Sequence, residues 1–379
     1  MGELDLESIA ASLSGLGQVR LQADACIRGK SPWSKCHSCQ DVCPVGGIEL
    51  EAGRPDIREC QRCGLCAVAC PAGAVEDPER THSFFLARGR EAIAATGQVV
   101  FACNHRREEK RRDDLVMAAC LGAVAPEVMV ALAIRGKTVF LYRQEECAAC
   151  PWGDKGESLF RASFRRAQKT IVALKLPAER LVLEATPPPA PFGSQAGRQG
   201  RSPAAMGRRE FFSSLLRGIK IPGIDTTPAP SQVAPLVSQR RALILGLALR
   251  EARPEGGYSS GATLPLPSLE LTGPCYLCNI CSRLCPTGAL KLHDGELTYT
   301  PARCNHCNLC LAVCPHHSLA RGTDLPLEVL ASASTLTIAT ATEHTCPSCG
   351  EVFQASTTAA ECLRCLFSHQ VTGTAGAGG

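Results

Sequence analysis

Aromatic side chains are scarce, with Phe, Tyr and Trp together making up 4% of the 379 residues. Large rings bury the most apolar area per side chain, so cores of this chain must be small and organised by something else. Long apolar runs are missing too. The best of them, ALILGLAL at 242–249, has less than half of the ~18 residues that cross a bilayer. A transmembrane helix is excluded, and a soluble chain with at most peripheral membrane association is expected. The opening MGELDLESIAASLSGLG has no basic start and no apolar signal core, which points to a cytoplasmic location. The formal net charge of +4 makes no case for or against an acidic partner, and no nucleic-acid partner is expected. A Gly-rich dinucleotide fingerprint, a P-loop and a nucleophile–base constellation are all absent. No catalytic residue can therefore be named, and a stand-alone enzyme is not expected.

Cysteine is what the chain has instead, at 24 residues. In a short secreted chain such a count would mean disulfides, but in a long cytoplasmic one it favours thiolate–metal chemistry. With 45% hydrophobic residues, a chain of this length can bury more than one core, and about two to four compact units are expected.

The cysteine spacing gives the organisation. Cys275, Cys278, Cys281 and Cys285-Pro286 read C-x2-C-x2-C-x3-C-P, and Cys304, Cys307, Cys310 and Cys314-Pro315 repeat it. Three thiolates two residues apart can wrap one face of a cubane cluster, while the fourth points away and closes another. This is similar to the bacterial two-cluster ferredoxin signature. Cys275, Cys278, Cys281 and Cys314 would hold one [4Fe–4S] cluster, and Cys304, Cys307, Cys310 and Cys285 a second. Two zinc sites are the alternative.

An irregular copy stands near the start. Cys60, Cys63, Cys66 and Cys70-Pro71 keep the pattern, but the half before it reads CIRGKSPWSKCHSCQDVCP, with Cys26 far upstream of Cys36, Cys39 and Cys43. Trp33 occupies the place of the missing first ligand. If the loop from Cys26 folds back, one cluster takes Cys26, Cys36, Cys39 and Cys70, and the other takes Cys60, Cys63, Cys66 and Cys43. Otherwise the first has three cysteines and Cys26 is unligated. Arg28 and Lys30 in that loop are expected to be solvated charges.

Between these copies the texture changes. GQVVFACN (97–104), DLVMAACLG (114–122) and KTVFLYRQEECAACPWG alternate with stretches of helical length, APEVMVALAIRG and ESLFRASFRRAQKTIVALK, and end on RLVLEA. This alternation predicts a small parallel α/β domain whose cysteines sit at the carboxyl ends of its strands. The order of strand-cysteine elements, together with Gly156-Glu157 ahead of Arg161 and the later LPAERL, resembles the iron–sulfur (delta) subunit of methyl-viologen-reducing hydrogenase, which links hydrogenase to heterodisulfide reductase. The resemblance covers about 90 residues and implies a [2Fe–2S] cluster on Cys103, Cys120, Cys147 and Cys150, with a zinc site or buried inert thiols as the alternatives. The family usually has a further cysteine near the first and a histidine after the last pair, where this chain has Asn104-His105 and Pro151-Trp152.

Residues 187–207, rich in Pro, Gly and Ser, are expected to be a linker separating two cluster-bearing halves. GRREFFSSLLRGI after it is expected to form a short amphipathic helix with Phe211, Phe212, Leu215, Leu216 and Ile219 on one face. Near the end, CPSCG and CLRC place Cys346, Cys349, Cys362 and Cys365 as a zinc ribbon would, with a rubredoxin-like iron site as the alternative. These groups use every cysteine.

The expected fold is α+β and multidomain. It comprises a ferredoxin-like 2[4Fe–4S] domain at 20–90, an α/β iron–sulfur domain at 97–186, the linker at 187–207, and a short helix with irregular connection at 208–263. A second ferredoxin-like domain at 264–325 and a zinc ribbon at 340–370 follow. The cofactors would be four [4Fe–4S] clusters, one [2Fe–2S] cluster and one Zn2+. Many clusters without a substrate site imply an electron-transfer subunit serving a flavin-, molybdopterin- or hydrogenase-type partner. A metal-stabilised scaffold or assembly factor, or a reductase with an open-coordination cluster, are the other classes. His306, His316 and His317 are expected to be packing or surface residues.

Overall fold

The computed structural model describes residues 19–22, 25–50, 56–77, 80–104, 112–189, 245–246, 248–253, 258, 263–356 and 359–373. The chain divides into one large unit, Met1–Pro188 with Pro235–Gly379, and a small one, Pro189–Ala234. The small unit apart from Pro189, and with it nearly all of the expected linker and the amphipathic helix at 208–219, lies outside the described residues. The large unit is a mixed α/β, multi-module assembly.

Its N-terminal module contains little regular structure, because cysteines and turn residues leave no room for long elements. Four two-residue strands, β1 (Arg20–Leu21), β2 (Ile48–Glu49), β3 (Asp56–Ile57) and β4 (Val75–Glu76), make two antiparallel ribbons, β1–β4 and β2–β3. Between them lie the short helices α1 (Ile27–Lys30), α2 (Ser38–Asp41) and α3 (Leu65–Ala69).

Helix α4 (His82–Thr96) leads out of this module. The Thr81 hydroxyl accepts from the Phe84 N–H at its start, and Gly97, at φ 78°, ends it by donating to the Ile93 carbonyl. A four-stranded, all-parallel sheet follows, formed by β5 (Gln98–Cys103), β6 (Leu115–Ala118), β7 (Lys137–Leu141) and β8 (Leu181–Glu184) in the order β6–β5–β7–β8. Helices α5 (Pro126–Ala133), α6 (Gln144–Ala148) and α7 (Gly153–Ala173) connect the later strands. α5 is buried along its whole length, which fits its lack of a polar face. The scarce aromatics concentrate here: Phe101 stacks on Phe140 with ring centres 5.0 Å apart, and Phe85, Phe160 and Phe164 pack around that pair. On the opposite sheet face Val100, Ala102, Val139 and Leu141 form a second small core, as period-2 alternation demands.

The C-terminal half begins with β9 (Thr263–Leu271), followed by α8 (Ile280–Arg283) and the hairpin of β10 (Leu290–His293) with β11 (Glu296–Tyr299). Asp294 and Gly295, at φ 48° and 75°, supply the two left-handed residues that this tight turn requires. Next come α9 (Leu309–Val313), β12 (Leu319–Pro326), α10 (Leu327–Ala331) and β13 (Leu336–Thr340). β12 pairs antiparallel with β9, and β13 with β11. The chain ends in the ribbon β14 (Thr342–Thr345) with β15 (Val352–Ala355), and in α11 (Leu363–Gly373).

The halves on either side of the expected linker share their apolar cores. Leu264, Leu266, Leu325, Leu327 and Leu330 are buried in the same cluster as Phe85, Phe101 and Phe140, and so are Leu245 and Leu249 from the expected irregular connection. Leu309 of α9 is buried with Ile27, Ile48 and Val75 of the N-terminal module. A protease site introduced within 187–207 and then cut should therefore leave two fragments that co-elute on size exclusion until denaturant is added. Fragments that separate in native buffer would show that this shared core does not hold them.

Candidate metal centres

The C-terminal cysteines at 275–314 occupy two loops of the same form. The second residue after the first cysteine is left-handed in each: Leu277 at φ 51° and His306 at 57°. The residue after the second cysteine is left-handed as well, Asn279 at 64° and Asn308 at 59°. Non-glycine residues there cost on the order of 1 kcal/mol each, a strain that turns a short loop around a common centre. The N-terminal loop at 60–70 repeats it with Arg62 at 56° and Gly64 at 79°.

The turns aim backbone N–H groups at sulfur. Arg62 N–H donates to Cys60 Sγ and His306 N–H to Cys304 Sγ, each at 3.4 Å. After the cysteine–proline pairs, Ala74 N–H reaches Cys70 Sγ at 3.2 Å and Ser318 N–H reaches Cys314 Sγ at 3.4 Å. Such donors favour charged sulfur over the neutral thiol and suit thiolate ligands.

The thiols fall into quartets. Burial pushes the Cys281 thiol up to about 12, with Cys275, Cys278 and Cys314 adding like charge. Cys307 is likewise pushed up to about 12 by burial, with Cys304, Cys310 and Cys285 as its neighbours. A cavity of about 20 Å3 is lined by Cys275, Cys278, Cys281 and Cys314. In the N-terminal module, Cys43, Cys60, Cys63 and Cys66 face one another.

The irregular loop also closes. The Cys26 and Lys30 backbone groups turn through hydrogen bonds of Cys26 N–H to the Gln22 carbonyl and of Lys30 N–H to the Cys26 carbonyl. This brings Cys26 beside Cys39, whose thiol is pushed up to about 12 by burial and then by Cys70, Cys36 and Cys26. Trp33, at the place of the missing first ligand, is 70% exposed. Arg28 is half-buried and Lys30 exposed.

The sheet delivers the central quartet. Cys103 ends β5, Cys120 follows β6, and Cys147 and Cys150 follow β7, all at the carboxyl edge. Together they line a cavity of about 30 Å3. Burial raises Cys120 to about 12 and Cys147 to about 11, and Glu157 adds negative charge at Cys147. The Tyr142 hydroxyl donates to Glu157 Oε1 at 2.5 Å, and Arg161 Nε donates to the same oxygen at 2.8 Å. Trp152 N–H donates to Cys150 Sγ at 3.4 Å, while its indole Nε1–H donates to Gln61 Oε1 at 2.6 Å.

Close backbone packing joins this quartet to the N-terminal module. A Cβ on Gly156 would lie 2.7 Å from Cys120 Sγ, and one on Gly122 would lie 2.7 Å from both the Gly156 carbonyl and a Leu65 methyl. A Cβ on Gly64 would meet that of Ala123 at 2.9 Å. Cys120 accordingly senses Cys63 as well as Cys103 and Cys147. Sequence reading did not single out Tyr142, since its role depends on which elements meet; Gly122, Gly156, Glu157 and Arg161 were visible only as parts of a pattern.

The last four cysteines form the tightest group. Every Sγ of Cys346, Cys349, Cys362 and Cys365 lies within 4.8 Å of the others, and Cys349 and Cys362 are 3.7 Å apart. A tetrahedron with ~2.3 Å metal–sulfur bonds has edges of roughly 3.8 Å. Backbone donation from Cys362, the largest cause, helps bring Cys346 down to about 6. Tyr276, buried with Ala355 and Ala359, docks this ribbon on the first C-terminal loop. His316 is a packing residue, its ring 4.7 Å from that of Tyr276 and 6.0 Å from that of Phe367. His306 is half-buried and His317 exposed.

Residues 274–318 match the 4Fe-4S dicluster domain family. The chain is 39% identical over 70 residues to an uncharacterised ferredoxin of Methanocaldococcus jannaschii, covering 18% of this chain and 39% of that one. A second uncharacterised ferredoxin of that organism is 49% identical over 39 residues, 10% of this chain and 26% of its own length. Formate hydrogenlyase subunit 2 of Escherichia coli is 44% identical over 48 residues, 11% of this chain and 24% of the subunit. The chain thus spans well under half of each relative. No solved structure matches it. A ferredoxin-type 4Fe–4S domain is present at 274–318, and among the described residues no helix is long and apolar enough to cross a membrane.

Two substitutions test the irregular and central sites. Cys26→Ser should lower bound iron by about four atoms per chain if it removes one cubane ligand, whereas Trp33→Ala should leave iron unchanged; equal iron in both variants would take Cys26 out of the site. Gly156→Ala should weaken iron retention at the central quartet by pushing Cys120 aside, read as loss of visible absorbance relative to protein. Unchanged absorbance would mean that α7 can shift at no cost to the site.

Proposed function

We propose that the chain is a multi-cluster electron-transfer subunit of a cytoplasmic oxidoreductase complex, relaying single electrons between a catalytic redox subunit and another redox module. One observation carries this: cysteine quartets of cluster-binding spacing gather in a single compact unit, two of them within a ferredoxin-type domain. Five such quartets and the ribbon site would hold four [4Fe–4S] clusters, one [2Fe–2S] cluster and one Zn2+. The bound clusters supply reversible one-electron storage.

The chain's own residues do the rest. Cys26, Cys36, Cys39 and Cys70, and Cys43, Cys60, Cys63 and Cys66, would hold the N-terminal pair, making that module a second ferredoxin-like domain. Cys103, Cys120, Cys147 and Cys150 would hold the two-iron centre, with Glu157 and Tyr142 beside Cys147 and Leu121 and Phe160 lining the dry side. Burial of these sulfurs limits water, which together with N–H···S bonding sets a cluster's potential. The zinc ribbon would be structural, bracing the first C-terminal loop through Tyr276 and His316.

The likeness to a formate hydrogenlyase subunit and the resemblance of residues 97–186 to a hydrogenase-linked iron–sulfur subunit support a flavin-, molybdopterin- or hydrogenase-type partner. The chain itself would carry no catalytic site.

Anaerobically prepared protein should contain about 18 iron and about one zinc per chain; intact protein with iron below about 12 would overturn the four-cubane assignment. Cys103→Ser and Cys150→Ser should each abolish the same [2Fe–2S]-type EPR signal while the cubane signals persist. If either variant keeps every signal and all its iron, the α/β module is not a redox station.

A further inference from the structure

The two loops of the C-terminal ferredoxin-type domain have the same backbone form but different surroundings. Seven residues after the closing cysteine, the first repeat has Leu292 (after Cys285) and the second has Arg321 (after Cys314). The fold places these two positions equivalently. Leu292 lines the cavity of Cys275, Cys278, Cys281 and Cys314, while Arg321 lies over the other quartet, with Nη1 4.0 Å from Cys304 Sγ.

Arg321 is held in place from two sides. Its backbone pairs with Leu269 across β9 and β12. Its Nε and Nη2 both donate to Asn308 Oδ1, at 3.0 and 2.8 Å. Asn308 is itself fixed, at φ 59°, by the loop that carries Cys307. Arg321 as a residue is half-buried, with its bonds to Asn308 at the surface and Nη1 turned to the part-buried Cys304 Sγ, so solvent screens the charge less on that side. It also faces Cys310, whose thiol burial pushes up and Arg321 pulls down. The buried Tyr299 faces Cys304 as well.

We propose that Arg321 is a positioning residue that makes the Cys285, Cys304, Cys307 and Cys310 site the more easily reduced of the pair in this domain. One-electron reduction adds a negative charge to a four-thiolate centre. A fixed cation at 4.0 Å favours that reduced form, and an apolar leucine does not. The domain is thereby polarised: an electron delivered to it rests on the Arg321 side, against the N-terminal module where Leu309 is buried, rather than on the side of the ribbon. This rests on the cluster assignment above.

The test is an EPR-monitored redox titration of the anaerobically prepared full chain, with dithionite as reductant. In Arg321→Leu, one cubane signal should titrate at a more negative potential while the other signals keep theirs and iron content is unchanged. Arg321→Lys keeps the charge but loses the fork to Asn308, and should shift the same signal less. Asn308→Gly keeps the left-handed turn, frees the guanidinium, and should also shift that signal in the same direction. Wild-type potentials throughout in Arg321→Leu with full iron would overturn the proposal. If Arg321→Leu loses iron, the Lys and Gly variants decide: a negative shift of one signal in either supports it, and wild-type potentials in both overturn it. Wild-type protein without cubane signals would instead sink the cluster assignment, a distinguishable failure.

Discussion

Burying several sulfur atoms side by side is the constraint on which this architecture depends. Burial raises the pKa of thiols gathered in one pocket and neighbouring sulfurs raise it further, as at Cys39 and Cys281, and as thiolates they repel in a medium where charge is poorly screened. Held as thiolates, such donors would need a cation among them. Metal binding would then release protons and supply cross-links in place of large side chains. The low aromatic content fits this: rings concentrate in the parallel sheet, where Phe101 and Phe140 stack, while the cysteine modules have cores mainly of Ile, Val, Leu and Ala around sulfur, with Tyr299 buried in the C-terminal one.

A second consequence is spatial. The cysteine loops are short and carry left-handed residues, and each packs on a neighbour. The loop at 60–70 leans on the turn that carries Cys120, through Gly64, Leu65 and Gly122. The loop at 304–314 leans on the N-terminal module through Leu309, and the loop at 275–285 on the ribbon through Tyr276. Each contact that stabilises a loop also brings one quartet beside the next. In the relay proposed above, the packing that folds the chain would also set the spacing of its stations.

Much of this was legible in the sequence, for identifiable reasons. The C-x2-C-x2-C-x3-C-P spacing is a local property, so the regular quartets could be grouped from residue numbers alone. Strand–helix alternation between 97 and 186 likewise gave a parallel sheet with Cys103, Cys120, Cys147 and Cys150 at one edge, because a parallel crossover leaves few topologies. The position of Cys26 was open, since the nine residues between it and Cys36 can fold back or not, and hydrogen bonds around Gln22 and Lys30 set where it lies. The shared core of Leu264, Leu325 and Phe85 was not legible at all. A Pro- and Gly-rich segment in a sequence says nothing about whether the parts on either side pack together. Arg321 escaped notice because a single arginine has no periodicity; only laying the two repeats side by side sets it against Leu292.

The central claim is that the quartets are neighbouring one-electron sites in one chain. A reductive titration with EPR detection, carried out on protein of known iron content, tests it most directly. The account predicts uptake of about five electrons per chain, one for each cluster, and signals that broaden progressively through spin–spin coupling as adjacent centres become reduced. Uptake of no more than one or two electrons at full iron content, or sharp signals that add without broadening, would contradict it.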